Sequence, residues 1–386
     1  MLNHILLLTT IISITVFSQN NDTQAIIAPQ GFGINLLNSK GNSSIDNEIS
    51  NIGFMNPAAI SNFDNYSLGL SYQLSSKIEE GWIADIGTSR KNDWMPQSAG
   101  AVFKFDNFSF GLGFGQKYNG SLDFDSIQIT TAQDPDGTGE YFDVEYRTRV
   151  YTYSLAASYL FIDLITENSS LDLGFRYSYN KMDFNESLWL INVSASDVSS
   201  NFNIGFQYSY DISENRKIKI GFCYETQVEF SSPIIVELDS LDINSGNGSN
   251  IGAQVYNFNI AGYIPNDFKL DVSADLTENL KLNTLITGML WETDDNNQKN
   301  QLELSASGVY RIDEMFAPSF GFYYTDKNFD EDFFDINDKM NALFLIAGLR
   351  FDYDIFSADL AIADAQLFGG DFRKQTIGKI AIGVQL

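Results

Sequence analysis

The stretch Tyr66-Ser67-Leu68-Gly69-Leu70-Ser71-Tyr72 places a large apolar side chain at every second position, with Ser and Gly between. Successive strand side chains point to opposite faces, so such a run builds a strand with one greasy and one polar face. The texture returns up to the last residue. Leu171, Leu173, Phe175, Tyr177 and Tyr179 oppose Asp172, Gly174, Arg176 and Ser178. Phe202, Ile204, Phe206, Tyr208 and Tyr210 oppose Asn203, Gly205, Gln207 and Ser209, and Ile218, Ile220, Phe222 and Tyr224 oppose Lys217, Lys219, Gly221 and Cys223. A soluble sandwich would hide such faces in a shared core. Here they are unusually aromatic and follow a secretory-type N-terminus. The pattern predicts an all-β, transmembrane antiparallel barrel in a bacterial outer membrane, with lipid outside and a polar lumen inside.

Composition agrees. Aromatic residues make up 14% of the 386-residue chain, which suits strands and interfacial girdles. Trp82, Trp94, Trp189 and Trp291 are expected in those girdles. The mean hydropathy of −0.13 argues against a helical membrane protein, whereas a barrel needs apolar residues only at alternate positions. Met1 to Ser18 reads as a signal peptide, with Ile5-Leu6-Leu7-Leu8 through Val16-Phe17 as its apolar region and cleavage after Ser18, although Lys and Arg are missing ahead of it. No Cys follows the apolar run, so a lipoprotein signal is not expected.

The formal net charge is −27, with acidic clusters at Asp294-Asp295 and from Asp330 to Asp338. Such a surface repels nucleic acid and offers it no basic groove. The sole histidine, His4, lies in the expected signal peptide, which closes routes needing a His base or a His-rich zinc site. The sole cysteine, Cys223, cannot form an internal disulfide. No spacing points to an enzyme, a cofactor or a resident metal. Asp134-Pro-Asp136-Gly-Thr138-Gly139, with Glu145 beyond it, matches calcium-loop spacing except at Thr138, but it lies between strands and reads first as an acidic hairpin loop.

Residues 19–65 differ in texture, being Gly- and Asn-rich with apolar anchors at Ile26-Ile27, Phe32, Ile34, Leu36-Leu37 and Phe54-Met55. They are too polar to span a membrane and too long for an ordinary connection, so a folded plug is expected ahead of a barrel over residues 66–386. Counting alternating runs gives about fourteen strands, with sixteen as the alternative. Long polar links at Gly120 to Asp143, Asn185 to Ser200, Glu237 to Asn250 and Lys327 to Lys339 suit extracellular loops. The chain ends on Ile380, Ile382, Val384 and Leu386 alternating with Ala381, Gly383 and Gln385, a strand suited to sealing the barrel against the first.

Two sets of residues stand out. Asn56-Pro57-Ala58 makes a short rigid elbow, because Asn bonds its own backbone in a turn while Pro restricts φ; it is either the hatch element or only the joint between plug and first strand. Gly111, Gly113 and Gly115 share one face of a strand whose other face is Phe108, Phe110, Leu112 and Phe114. Glycine there marks a thin wall that could serve as a lateral exit, or room for close approach of the plug.

At Met55-Asn-Pro-Ala-Ala-Ile-Ser-Asn-Phe-Asp64 the chain resembles the FadL/TodX family of outer-membrane transporters for long-chain fatty acids and other hydrophobic compounds. Ile260-Ala-Gly-Tyr263-Ile264-Pro265, then Asn279-Leu-Lys-Leu282 and a strand ending in Trp291, continue the likeness. So do the closing runs Leu304 to Tyr310, Phe316 to Tyr324, Ala347 to Phe351 and the final strand. The resemblance implies a fourteen-stranded barrel blocked by an N-terminal hatch, which admits a hydrophobic small-molecule ligand from outside and releases it sideways into outer-membrane lipid. FadL-like barrels also serve as accessory subunits of type IX protein secretion, so a secretion-system partner is the alternative. A terminal Leu386 instead of an aromatic residue and the acidic loops depart from the family's pattern.

Overall fold

Tight turns built on Asp and Asn join the strands at one end of the molecule. Asp106, Asp163, Asn168 and Asp354 adopt positive φ there, a backbone region that these residues tolerate better than most. The computed structural model describes residues 24–25, 31–80, 88–128, 139, 141–163, 166–188, 191–213, 215–238, 254–291, 299–326, 342–366 and 374–386. The expected signal peptide, Trp82, Trp189, the acidic clusters at 294–295 and 330–338, and residues 134–138 and 140 of the 134–145 loop lie outside them.

The strands form a closed antiparallel barrel of 14. They are β1 (Tyr66–Glu80), β2 (Thr88–Phe105), β3 (Phe108–Gln128), β4 (Tyr141–Ile162), β5 (Ser169–Leu188) and β6 (Ile191–Ser213). β7 runs in two segments, Arg216–Glu225 and Val228–Leu238, and β8 in two, Gln254–Ile264 and Asn266–Asp275. The remainder are β9 (Leu280–Leu290), β10 (Gln301–Tyr310), β11 (Phe316–Thr325), β12 (Ala342–Tyr353), β13 (Phe356–Asp364) and β14 (Lys374–Gln385). Pro265 explains the break in β8, since it has no N–H to give the ladder. β14 closes on β1 from Lys374↔Ile78 to Gln385↔Ser67, and reciprocal Tyr66 and Leu386 backbone bonds finish the seam.

The alternation sorts as expected. Leu68, Leu70, Phe110, Leu112, Phe175, Ile204, Phe320, Ile380 and Ile382 are exposed on the exterior, while Ser71, Ser154, Arg176, Asn203 and Lys379 are buried inside. An exposed apolar surface this extensive needs a lipid cover, and a closed barrel leaves no unpaired edge in it. Two expectations change. The Asn185 to Ser200 link is mainly strand, because β5 continues to Leu188 and β6 starts at Ile191, pairing Phe184 with Ala195 and Glu186 with Val193. Likewise β3 and β4 extend well into the Gly120 to Asp143 link. Polar composition concealed these extensions: beyond the hydrocarbon layer a strand needs no greasy face.

Residues 31–63 are buried almost throughout and lie against the inward faces of the strands. They contain 3-10 turns at Gly33–Leu36, Ile49–Asn51 and Pro57–Asn62 and a small hairpin of Leu37–Asn38 with Gly41–Asn42. Leu36, Ile45, Ile49, Ile52, Phe54, Met55 and Ile60 form a core with Val102, Ala156 and Leu285 of the wall.

Candidate functional site

The elbow is built as its residue types require. Asn56 caps the Pro57–Asn62 turn by accepting from the Ala58 N–H at 3.0 Å, with Pro57 at the turn's first position. Its Nδ2 donates to the Phe206 and Phe222 carbonyls at 3.1 and 3.2 Å, spanning β6 and β7. Asn56 therefore holds the segment to two strands at once. Opposite, Gly111 lies by Ile52, Gly113 by the Gly53 backbone and Gly115 by the Phe54 ring, so side chains at these positions would collide with the N-terminal segment. The N-terminal segment thus lies close against all three glycines.

The wall parts immediately beyond them. The β2–β3 ladder runs from Phe105↔Phe108 only to Ser98↔Gly115; from there β2 pairs with β1 and β3 with β4. Register slips at both margins, between Ser71 and Tyr72 on β1 and between Gln116 and Tyr118 on β3. A side-chain bond, Gln97 Nε2 donating to the Gln116 carbonyl at 3.1 Å, bridges the start of the parting. A second lapse separates β6 from the Val228–Ile234 stretch of β7, where Ser231 N–H donates to Asp197 Oδ2 at 2.6 Å and Ser232 Oγ to the Ser196 carbonyl at 2.9 Å.

Above the N-terminal segment, on the side away from the tight turns, the lumen becomes greasy. Phe32, Tyr118, Val150, Met182, Phe184, Val228, Phe230, Ile264, Met289 and Trp291 form one buried cluster. Trp291 is fully buried, with its ring centroid 5.7 Å from Tyr263 and 6.3 Å from Phe32. Its Nε1 donates to Gln301 Oε1 at 3.0 Å, satisfying the indole. The girdle expected for Trp291 is thus corrected: it continues the alternation of buried Met289 and exposed Leu290 and so faces inward, whereas Trp94 is exposed. Sequence reading missed this cluster, although a signal existed. The inward series Arg176, Ser178, Asn180, Met182, Phe184 passes from polar to apolar along one strand face.

An ionic layer separates this apolar cluster from the N-terminal core. Arg176 Nη2 meets Glu225 Oε2 at 2.8 Å, Lys117 pairs with the same carboxylate, and Lys269 pairs with Asp267. Arg176 also donates to the Ile52 and Met55 carbonyls, tying the layer to the N-terminal segment. Below the segment, Lys40, Asp46, Glu48, Lys219, Arg350 and Asp359 line a cavity of about 150 Å³. There burial alone would raise the Asp46 carboxyl, but Lys281, Lys40 and Lys219 hold it well below the usual carboxylate range. Among the described residues no three His, Cys, Asp or Glu side chains converge to hold a metal.

This architecture matches known barrels across nearly the whole chain. The toluene transporter TbuX of Ralstonia pickettii superposes with a TM-score of 0.61 at 10% identity, covering 92% of this chain and 98% of that one. A FadL homologue of Pseudomonas aeruginosa gives 0.61 at 13%, covering 94% and 98%. The toluene transporter TodX of P. putida gives 0.60 at 12%, covering 95% and 99%. The chain has the FadL/TodX barrel fold. No protein-family model matches the sequence, and no curated protein does. At such low identity the FadL/TodX fold survives because it depends on alternation, turns and closure, each of which many residue types satisfy.

Proposed function

We propose that the protein is an outer-membrane channel passing hydrophobic small molecules inward by passive diffusion, with residues 31–63 as its hatch. The observation that carries this reading is the apolar cluster in a lumen that a porin would keep polar and open. Cargo leaving the cluster meets two exits of different character. Straight down lie the ionic layer and the charged cavity around Lys40, Asp46 and Arg350. Sideways lies the β2–β3 parting, whose outer surface faces acyl chains. Desolvation favours the lateral route for an apolar molecule.

The hatch packing supports gating. Asn56-Pro57-Ala58 joins the segment to β6 and β7, while Gly111, Gly113 and Gly115 let Ile52-Gly53-Phe54 lie against the lower margin of the parting. A small displacement of that stretch would widen the opening. An accessory role in secretion would need no apolar lumen, so the cluster favours transport over it.

Uptake of a radiolabelled hydrophobic compound into cells or proteoliposomes tests the reading. Phe230→Glu should abolish uptake while the barrel still assembles, because it places a carboxylate within the apolar cluster. Undiminished uptake by a correctly folded Phe230→Glu barrel would overturn it.

A further inference from the structure

We propose that the cargo compartment selects neutral hydrophobes and excludes their carboxylates. This rests on the apolar cluster being the cargo site. A fatty carboxylate needs a cation or a set of free N–H donors where its chain is buried, since an unpaired buried charge is strongly disfavoured. Among the described residues, each cation and the paired amides along the base of this compartment face one of the protein's own carboxylates, and Arg176 Nε alone of that set is left without a partner.

Three cationic side chains border the cluster through their place on the strands. Lys117 adjoins Tyr118 of the cluster, Arg176 lies on the strand face that leads to Met182 and Phe184, and Lys269 belongs to the β8 segment just past Ile264. Glu225 accepts from both Lys117 and Arg176, and Asn201 and Asn203 add bonds to it at 2.9 and 3.1 Å. Asp267 takes Lys269. Arg176 spends further donors on the Ile52 and Met55 carbonyls.

A further pair of donors is supplied by backbone amides of the hatch. The N–H groups of Phe32 and Gly33 point together, a geometry suited to an anion, and Phe32 itself belongs to the cluster. Glu303 fills that position: its two carboxylate oxygens accept from Phe32 at 2.8 Å and from Gly33 at 2.9 Å. The chain has built a carboxylate site and occupied it internally. A ligand carboxylate would have to expel Glu225 or Glu303, or go unpaired.

The test compares dodecanol with dodecanoate at pH 8, using equilibrium binding and proteoliposome uptake with the full-length barrel. The wild type should bind dodecanol and hold dodecanoate roughly 100-fold more weakly, as expected for leaving a buried charge unpartnered. Glu225→Gln, which frees Lys117 and Arg176, should gain dodecanoate binding. Glu303→Gln, which frees the Phe32 and Gly33 amides, should do the same and serves if the first variant does not assemble. Equal wild-type affinity for both compounds would overturn the proposal, as would a preference for dodecanol that neither variant relaxes. Binding of neither compound would instead remove the transport reading beneath it.

Discussion

The side chain of Asn56 occupies the space that a Cβ on Gly205 would fill. The elbow of the N-terminal segment thus reaches the β6 backbone itself, and the absence of a side chain on the wall makes the contact possible. Gly221, on the adjacent strand, leaves similar room beside Ile45 and Asn56. Replacing Gly205 by Val should push the elbow inward, costing about 1–3 kcal/mol as overpacking does, and should expose residues 31–63 to protease in the assembled barrel. Limited proteolysis of outer-membrane fractions reads this directly; a hatch as resistant as in the wild type would refute it.

Arg176 should be among the most sensitive single positions in the lumen. It is fully buried, pairs with Glu225 and holds the Ile52 and Met55 carbonyls. Arg176→Met leaves Glu225 with less compensation and both carbonyls without this donor, a loss of roughly 3–5 kcal/mol by the precedent of broken buried pairs. Denaturant unfolding followed by the gel-mobility shift of folded barrels measures it. The paired change Arg176→Met with Glu225→Gln should recover part of the loss.

The parting beyond Gly115 can be closed chemically. Gln97 and Gln116 already touch across it. In a Cys223→Ser background, Gln97→Cys with Gln116→Cys bridged by a short thiol-reactive reagent should lower uptake of the labelled hydrophobe at least several-fold. Its equilibrium binding should stay within about twofold, because the apolar cluster is untouched. Unimpaired uptake in the bridged barrel would exclude this exit.

Gly113→Val approaches the same margin from inside. Its side chain would press on the Gly53 backbone and on Ser154, lifting the hatch stretch Ile52-Gly53-Phe54 from the wall. Uptake should rise while assembly persists, since displacing that stretch widens the opening; a variant that transports normally would dissociate this contact from the exit.

Asp46 predicts acid sensitivity in the lower part of the N-terminal segment. Its carboxyl is held down by Lys281, Lys40 and Lys219 against the opposing effect of burial. A depressed folded-state pKa contributes stability that is present in full above the unfolded value near ~4 and is lost as pH falls through the folded value. Asp46→Asn should therefore destabilise the protein at neutral pH, and its deficit relative to the wild type should shrink as pH falls below about 4. A deficit that does not change with pH would show that Asp46 acts by packing alone.

Much of this molecule was legible as a string of residues. Strand identity, strand facing and closure follow from alternation, because the pleat places every second side chain on one side whatever its partner. Runs such as Leu171 to Tyr179 and Ile380 to Leu386 therefore declared their greasy faces without help from neighbours. The elbow at Asn56-Pro57-Ala58 was equally local, a matter of one side-chain bond and one restricted φ.

Other features required the closed wall. Asn185 to Ser200 reads as a loop until Phe184 is seen paired with Ala195. Gly111, Gly113 and Gly115 read as a thin wall or a snug one, and only the folded chain shows Ile52, Gly53 and Phe54 lying against them. Trp291 looked like an interfacial anchor and proved to belong to the lumen's buried apolar cluster. Alternation states on which face a side chain lies. Where a ladder stops, which distant strand comes opposite, and whether Glu225 finds Lys117 and Arg176 are set by closure of the whole sheet, since pairing partners a hundred residues apart leave no mark on either segment alone.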